Sequence, residues 1–255
     1  MPNQRLRLET TSMRIITWNC RIGGFRKKAK QIAPLKPDVL AVQEVEPIDN
    51  VLLFDGECQP TYRDRANCPA YPRRSIGVFS YTNTTKLRAV DVPDPENLWT
   101  YAFRRYEAHR EGQTFNVAAV WPYATKARKN SYRQAHQGLT EHHEWIQQRP
   151  TVVIGDFNQS AKFKGDGWSK LQALTDSLGL VSAYHHFFGE SFGNETRPTH
   201  FHHGKMTSAF HLDYCFLPGA WAPHITKVEV GDYDAWSKFS DHAPLIVDLD
   251  LPAMA

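Results

Sequence analysis

The sequence is poor in cysteine and has no long hydrophobic run. Its four cysteines are Cys20, Cys58, Cys68 and Cys215. None of them forms a Cys-x-x-Cys pair, which argues against a zinc knuckle and favours reduced thiols over a disulfide framework, although a Cys58–Cys68 bridge stays open for a secreted chain. Apolar runs such as 39–42 and 151–154 are far shorter than the roughly 18 residues that cross a bilayer, so we predict no membrane span.

A secretory signal and an excess of charge of one sign are also missing. The charged first nine residues are not followed by an apolar stretch with a small-residue cleavage site, which predicts a cytoplasmic protein. The 30 Lys+Arg residues nearly balance the 27 Asp+Glu residues, and a net charge of +3 does not by itself indicate a nucleic-acid partner. No linker or repeat divides the chain. We therefore predict an N-terminal extension over residues 1–12 and a single domain over 13–255.

Apolar residues are present in the proportion that an ordinary globular core requires, at 41% of the chain against 22% charged residues. Short apolar runs with β-strand character recur, and several stop at a polar residue. Strands are predicted at 13–18, 37–42, 75–80, 102–108, 115–120, 151–155, 211–217 and 244–249. Helices are predicted at 26–35, 132–148 and 169–178, the last closed by Gly179 as its C′ residue.

Strands that are apolar along nearly their whole length are buried on both faces. This happens when two sheets face each other and helices cover the outside, so we predict a layered α/β sandwich. Polar groups at the ends of such strands can gather along one edge of the sheets. That edge is where we expect the chemistry.

Two of these strand ends carry groups suited to an anion or a metal ion. Asn19 follows the first strand and leads into two glycines, and its amide can donate to a bound anion without adding charge. Glu44 ends the second strand, where a carboxylate must be solvated, paired or metal-bound because unpaired burial costs several kcal/mol. Carboxylate oxygens are ligands that Mg²⁺ takes, so Glu44 is a candidate metal ligand. A simple Asx turn at Asn19 and a solvated Glu44 are the alternatives.

The tetrapeptide Gly155-Asp156-Phe157-Asn158 is more specific. In an extended chain, Asp156 and Asn158 point to one side and Phe157 packs on the other. A carboxylate in this position can orient and deprotonate a water, while an amide can donate to a phosphoryl oxygen as negative charge develops. A polar turn after a strand is the alternative.

An imidazole and a second carboxylate complete the set of candidates. His242 lies just before the last predicted strand, and an imidazole can act as a base or bind a phosphate oxygen when protonated. Asp213, from another strand, can orient it. Taken alone, the Asp241-His242 pair also fits a surface turn.

The ordered motifs resemble those of the endonuclease/exonuclease/phosphatase superfamily, which includes DNase I and exonuclease III, and within it a bacterial branch. The motifs are Trp18-Asn19, Gln43-Glu44, Gly155-Asp156-Phe157-Asn158, Leu212-Asp213-Tyr214 and Ser240-Asp241-His242. The resemblance covers about residues 13 to 250. It implies a DNase I-like four-layer α/β sandwich, with two facing mixed β-sheets flanked by helices. It also implies phosphoester hydrolysis that depends on Mg²⁺ or Mn²⁺.

The resemblance also implies a role for each motif residue. Metal ligation would fall to Glu44, Asn19 and Asp241. The catalytic residues would be Asp156, Asn158, His242 and Asp213. Within this set, Asp156 would orient or activate the attacking water and Asn158 would hold the phosphate. His242, supported by Asp213, would bind the phosphoryl oxygen or act as the base.

Further residues are candidates for substrate binding: Arg21, Trp121, Tyr123, Tyr132, Arg133 and His200. Arg21 and the cationic run after it can meet phosphates, although a solvated helix face is the alternative. Tyr132-Arg133-Gln134 resembles a helix start of the AP-endonuclease branch, with ordinary helix surface as the alternative. His200 lies in a stretch that approaches the active-site edge in the superfamily.

One position departs from the superfamily pattern. Nuclease branches place a catalytic Tyr or His where this chain has Val120, which cannot donate a hydrogen bond. The indole N–H of Trp121 and the hydroxyl of Tyr123 are the candidate replacements, or the donor is missing.

The sequence therefore predicts a divalent-metal-dependent phosphodiesterase, foremost a nuclease acting on DNA or RNA by in-line attack of water. One alternative is a phosphatase or phosphodiesterase for a small or lipid-headgroup phosphoester. The other is a non-catalytic binding module. Nucleic acid is the expected substrate, no obligate protein partner is evident, and a monomer is expected.

Overall fold

The computed structural model describes residues 10–47, 58–66, 72–90, 93–94, 96–97, 99–123 and 132–252, without the side chains of residues 10, 11 and 132. In chain order the strands are β1 (Thr10–Asn19), β2 (Val39–Val45), β3 (Tyr62–Arg65), β4 (Ser75–Ser80), β5 (Thr85–Ala89), β6 (Phe103–Arg110), β7 (Gln113–Val120), β8 (Thr151–Asp156), β9 (Leu180–Ser182), β10 (His200–Phe201), β11 (Ala209–Phe210), β12 (Asp213–Pro218), β13 (Ile225–Val230) and β14 (Leu245–Pro252). The α-helices are α1 (Phe25–Ile32), α2 (Trp99–Ala102), α3 (Tyr132–Glu141), α4 (His143–Gln148), α5 (Gly167–Ser177), α6 (Ala183–Phe188) and α7 (Tyr233–Trp236).

Two six-stranded sheets form the centre of the fold. The first sheet has the order β13-β14-β1-β2-β4-β3, and the second has the order β5-β6-β7-β8-β12-β9. Each sheet contains one parallel pair near its centre, β1 with β2 and β7 with β8, while the other neighbouring strands are antiparallel. A small ladder of β10 and β11 stands apart. Both sheets are therefore mixed.

Three apolar layers hold the sheets and helices together. The middle layer joins the facing surfaces of the two sheets, for example Ile15 of β1 and Ile154 of β8. Ile16, the next residue of β1, faces the opposite way and packs with Phe25 of α1. On the far side, Val153 of β8 packs with Leu139 of α3. Strand residues are thus buried on both faces, and the predicted four-layer sandwich is confirmed.

The helix predictions need two corrections. The helix predicted over 132–148 is two helices, because the backbone of His142 leaves the helical region at φ −113°, ψ 20° between α3 and α4. The helix predicted over 26–35 ends at Ile32 and continues as a 3₁₀ turn containing Pro34, whose missing N–H cannot extend an α-helical ladder. Gly179 does follow α5 with a left-handed φ of 69°, as predicted.

The strand predictions missed the edge strands of both sheets. Strands β3 and β13 border the first sheet, and β5 and β9 border the second. Strand β1 also begins at Thr10, three residues before its predicted start.

The structure also bears on the predicted reduced cysteines and on the predicted absence of a membrane span. Cys20, Cys58 and Cys215 are free thiols, and Cys68 lies outside the described residues. Within the described ranges, none of the helices combines the length and apolar character needed to cross a bilayer.

Candidate active site

The carboxylates, amides and imidazole predicted from the sequence lie close together, at a place where strands of both sheets end. Asp156, the last residue of β8, lies directly opposite Asp213, the first residue of β12. Asn19 ends β1 in the other sheet, and its Nδ2 donates to Asp156 Oδ2 at 3.0 Å. His242 lies shortly before β14. The polar ends of four central strands thus form one cluster that joins the two sheets.

His242 is held between two buried carboxylates. Its Nδ1 lies 2.8 Å from Asp213 Oδ2, a hydrogen-bond distance, and its Nε2 lies 4.0 Å from Asp156 Oδ2. The second distance is too long for a hydrogen bond. Asp213 therefore fixes the ring, as the sequence predicted, and Nε2 faces Asp156 without being bonded to it.

This arrangement changes the pKa values of both partners. Burial alone would lower the pKa of His242, but the carboxylates of Asp213 and Asp156 outweigh it and raise the pKa to about 10. Burial raises the pKa of Asp156 to about 7, against the opposing effect of the His242 charge. At pH 8 the site thus contains an imidazolium flanked by carboxylates.

We expect the imidazole of His242 to stay protonated up to about pH 10 in the metal-free protein, against an ordinary value of 6.5. An NMR titration of the labelled ring in EDTA measures this pKa. In Asp213→Asn the pKa should fall, because a carboxylate and a charged hydrogen bond are lost. The folded-state pKa is raised, so this group stabilises the fold fully below pH 6.5 and its contribution disappears as pH rises through about 10. Titration of the wild-type ring near 6.5 would contradict the assignment.

Glu44 is brought to the site by a β-bulge. The register between β2 and β4 shifts between Val42 and Val45, and Glu44 adopts a left-handed φ of 63°. A bulge redirects a side chain that regular pleating would place elsewhere. Glu44 Oε1 lies 3.4 Å from Asn19 Nδ2, while Oε2 accepts from Arg74 at 2.9 Å. Sequence reasoning missed Arg74, which no motif marks.

Asn158 reaches Asp156 by a route different from the predicted one. The strand ends at Asp156, and Asn158 adopts a left-handed φ of 50°, so the predicted extended alternation is wrong. The two side chains still converge. Asn158 Nδ2 donates to Asp156 Oδ2 at 3.2 Å and to the carbonyl of Pro122 at 2.9 Å, and the Asn158 backbone N–H donates to Asp156 Oδ1 at 2.8 Å. The Asn158 turn therefore holds the Asp156 carboxylate in place.

Buried supports hold the cluster from behind. Ser240 Oγ donates to the carbonyl of Asn19 at 2.7 Å and accepts from the His242 N–H at 3.0 Å. The indole of Trp18 donates to the carbonyl of His242 at 2.9 Å. The hydroxyl of Thr199 accepts from the N–H of Asp213 at 3.1 Å. These hydrogen bonds restrict the positions of the candidate catalytic groups.

The backbone at Gly155 leaves no room for a side chain. A Cβ there would lie 1.9 Å from the carbonyl oxygen of Val120, in the neighbouring strand β7. Val120 itself is fully buried. The glycine of the motif is therefore required by close packing of β7 on β8 immediately before Asp156.

The predicted substrate-binding residues lie in different surroundings. Trp121 and Tyr123 are each only 4% exposed and belong to the core, an environment that favours a packing role over direct contact with substrate. Arg133 is exposed on α3, whereas the side chain of Tyr132 lies outside the described residues. His200 bridges to His242 through the backbone, with ring centroids 4.5 Å apart. Their roles in substrate binding stay predictions.

Arg21 and Asp241 form an ion pair at the rim of the site. The distance from Arg21 Nε to Asp241 Oδ2 is 3.4 Å, and the Arg21 side chain is 52% exposed. A pair this open to solvent contributes little to stability. Its cation stays available to other anions.

The donor atoms fit a hard divalent cation. Asp156, Asp213 and His242 offer ligand atoms within 4.8 Å of one another. Within this trio, His242 is already hydrogen-bonded to Asp213 through Nδ1. Glu44, beside the Asn19 amide, offers a further carboxylate near this cluster. Oxygen donors of this kind suit Mg²⁺ or Mn²⁺.

One known protein family matches most of the sequence. The sequence profile of the Endonuclease/Exonuclease/phosphatase family matches residues 16–242. No curated protein sequence shows significant similarity to the chain.

Similar solved structures include three endonucleases. The endonuclease domain of TRAS1, a telomere-specific non-LTR retrotransposon, superposes with a TM-score of 0.66 at 15% identity, over 95% of this chain and 100% of that one. AP endonuclease LMAP from Leishmania major gives a TM-score of 0.68 at 12% identity, over 94% and 88%. An AP endonuclease from Archaeoglobus fulgidus gives 0.67 at 17% identity, over 94% and 100%. At these identities the likeness concerns the fold.

Proposed function

Since this chain belongs to the Endonuclease/Exonuclease/phosphatase family and is a metal-dependent phosphoester hydrolase, we propose that it is a nuclease that cleaves phosphodiester bonds of DNA or RNA. The proposal is carried by one observation: Asp156 is bonded to Asn19 and Asn158 and faces the imidazole of His242. A carboxylate that can orient water and an imidazole that can donate to a phosphoryl oxygen therefore lie side by side, an arrangement suited to attack of water on a phosphodiester.

Asp156 is the group that orients the attacking water. Hydrogen bonds from Asn19 and Asn158 fix its carboxylate, and burial raises its pKa to about 7. A base with a pKa near the working pH is both ionised and able to accept a proton. Water aligned by Asp156 attacks the phosphorus in line with the leaving oxygen.

His242 donates from Nε2 to a phosphoryl oxygen. Asp213 keeps the ring in one orientation and protonated, so the donor carries a positive charge where negative charge develops. Asn158 is proposed as a second phosphate ligand. Its amide already donates to Asp156 and to the carbonyl of Pro122, so this contact requires the exchange of one of these bonds.

Glu44, Asn19 and Asp241 are the residues proposed to hold Mg²⁺ or Mn²⁺. The bound ion would neutralise charge on the phosphoryl group. Arg74 pairs with Glu44 and balances its charge.

Nucleic acid is the substrate that the surroundings of the site favour. Arg21, Arg26 and Lys27 are exposed on the segment that follows Asn19, where they can meet the phosphates of a polyanion. The similar solved structures are named as endonucleases, two of them AP endonucleases.

The test is hydrolysis by the purified protein with Mg²⁺, Mn²⁺ or EDTA. Plasmid DNA, an abasic duplex, RNA, inositol phosphates and bis-p-nitrophenyl phosphate serve as substrates. We expect metal-dependent cleavage of DNA or RNA that EDTA abolishes. His242→Gln should lower the rate by about 10²- to 10⁴-fold, since a charged donor to the phosphoryl group is lost.

An exposed-site control accompanies this experiment. Asp176, a solvent-exposed carboxylate on α5, is changed to Asn, and this variant should cleave at the wild-type rate. Cleavage confined to the small phosphoesters would refute the nuclease proposal and favour the phosphatase or small-phosphodiesterase alternative.

A further inference from the structure

Ile22 is an apolar side chain held out into solvent beside the candidate metal ligand Glu44. It is 72% exposed, the largest exposure among the large apolar side chains of the described residues, where Met206 follows at 54%. Its own backbone N–H donates to Glu44 Oε2 at 2.7 Å. The position of this side chain is thus tied directly to the site.

The backbone that carries Ile22 is unusual for such a residue. Arg21, Ile22, Gly23 and Gly24 have consecutive positive φ values of 53°, 49°, 76° and 74°. Left-handed backbone suits Gly or Asn and is strained for a β-branched residue. Strain of this kind persists only where surrounding contacts impose it, and it is common at binding sites.

Several hydrogen bonds impose this conformation. Lys28 Nζ donates to the carbonyls of Cys20, Arg21 and Gly23, the last at 3.1 Å. The Arg21 N–H donates to Asn19 Oδ1 at 2.9 Å. These hydrogen bonds therefore hold the base of the loop, while the side chains of Arg21 and Ile22 are exposed.

The charges around Ile22 indicate what it contacts. Arg21, Arg26 and Lys27 are exposed on the same segment as Ile22, whose nearest charged contacts are the Glu44 carboxylate on its own N–H and the Arg21–Asp241 pair. A nucleic acid offers the matching combination of an anionic backbone and apolar faces of bases and sugars. Apolar side chains of this size can pack in a groove or between base steps.

We propose that Ile22 packs against a sugar or base next to the scissile phosphate and so fixes the position of the polynucleotide on the site. This inference rests on the proposed nuclease function. It assigns to Ile22 a role in positioning the substrate, apart from the residues that act on the phosphate.

The test compares three variants at this position. Ile22→Ala and Ile22→Asn should weaken binding of a short fluorescein-labelled DNA duplex or RNA strand in EDTA by about tenfold, because a buried isoleucine contact is lost. The matching rise should appear in KM rather than in kcat. Ile22→Leu should bind within about twofold of wild type, since it keeps the apolar volume. The loss of kcat/KM on the polynucleotide should exceed the loss on bis-p-nitrophenyl phosphate by about tenfold.

Stability measurements separate binding from folding. Ile22→Asn should unfold no earlier than wild type, because Asn tolerates the left-handed backbone, and yet it should bind less tightly. Phe187→Ala, at an exposed apolar residue on α6, is the matched control and should bind like wild type.

The outcomes distinguish this inference from the proposed function. If wild type cleaves nucleic acid and Ile22→Asn binds it equally well, the inference fails and the nuclease function stands. Equal losses on polynucleotide and small ester would show that Ile22 acts only through Glu44 and would also overturn the inference. If wild type neither binds nor cleaves nucleic acid, both proposals fail.

Discussion

Replacing Asp156 by Asn is expected to lower kcat on the polynucleotide by about 10²- to 10⁴-fold while the protein stays folded. Asn keeps the shape of the side chain but cannot accept a proton from water. The loss of charge also removes one of the three carboxylates that raise the pKa of His242. The measurement is single-turnover cleavage at saturating metal, together with thermal unfolding.

The stability of this variant has a predictable sign. The pKa of Asp156 is raised from 3.8 to about 7, so its contribution to stability is fully present below pH 3.8 and is lost as pH rises through about 7. At pH 8 a neutral Asn removes this unfavourable buried charge, but it leaves an N–H donor of Asn19 or Asn158 without its acceptor, so Asp156→Asn should lose about 1–3 kcal/mol and stay folded. Asp176→Asn serves as the control for an exposed carboxylate. Full activity in folded Asp156→Asn would refute the assigned role.

The wild-type rate should also depend on the ionisation of Asp156. We expect cleavage to rise with pH through about 7, where the Asp156 carboxyl loses its proton. It should fall again above about pH 10, where His242 becomes neutral. Asp213→Asn should move the alkaline limb to lower pH. A rate that is flat between pH 5 and the neutral range would show that another group is the base.

Replacing Gly155 by Ala is expected to lower the free energy of unfolding by about 3 kcal/mol or more. The new Cβ would lie 1.9 Å from the carbonyl oxygen of Val120, and a backbone atom cannot rotate away as a side chain can. Strands β7 and β8 would have to separate next to Asp156. Denaturant unfolding of the purified variant measures the loss of free energy of unfolding. If the variant expresses poorly, its thermal unfolding is compared with that of wild type in cell lysate.

Gly112→Ala is the matched control for this variant. Gly112 also has a positive φ, at 82°, but a Cβ there would meet nothing within 4 Å. The strain of a left-handed alanine alone should cost about 1 kcal/mol. If both substitutions lowered the free energy of unfolding by the same amount, close packing of β7 on β8 would not be the cause of the loss at Gly155.

The central strands were predictable because burial on both faces makes them apolar throughout, as in 39–42 and 151–154. The four edge strands were not, because each has a hydrogen-bonded neighbour on one side only and its residues need not be apolar. In β5 exposed residues alternate with buried ones, and β3 is half-buried along its whole length. Short segments of this kind resemble loops in sequence.

The convergence of Asp156, Asp213, His242 and Asn19 was predictable from motifs at strand ends. The way in which Glu44 and Asn158 arrive was not. Both residues have a left-handed backbone, at φ 63° and 50°, and this conformation could not be predicted from the residue type alone. The ion pair of Glu44 with Arg74 joins residues 30 positions apart, so only the folded chain reveals it.

The position of β14 has a consequence for synthesis of the protein. This strand inserts between β13 and β1, and the indole of Trp18 reaches the carbonyl of His242 just ahead of it. During translation, β1 is made before β14, and its sheet is complete only once β14 has been made. A nascent chain that stops short of His242 therefore carries Asn19 and Asp156 alone, and it should be inert towards phosphodiesters.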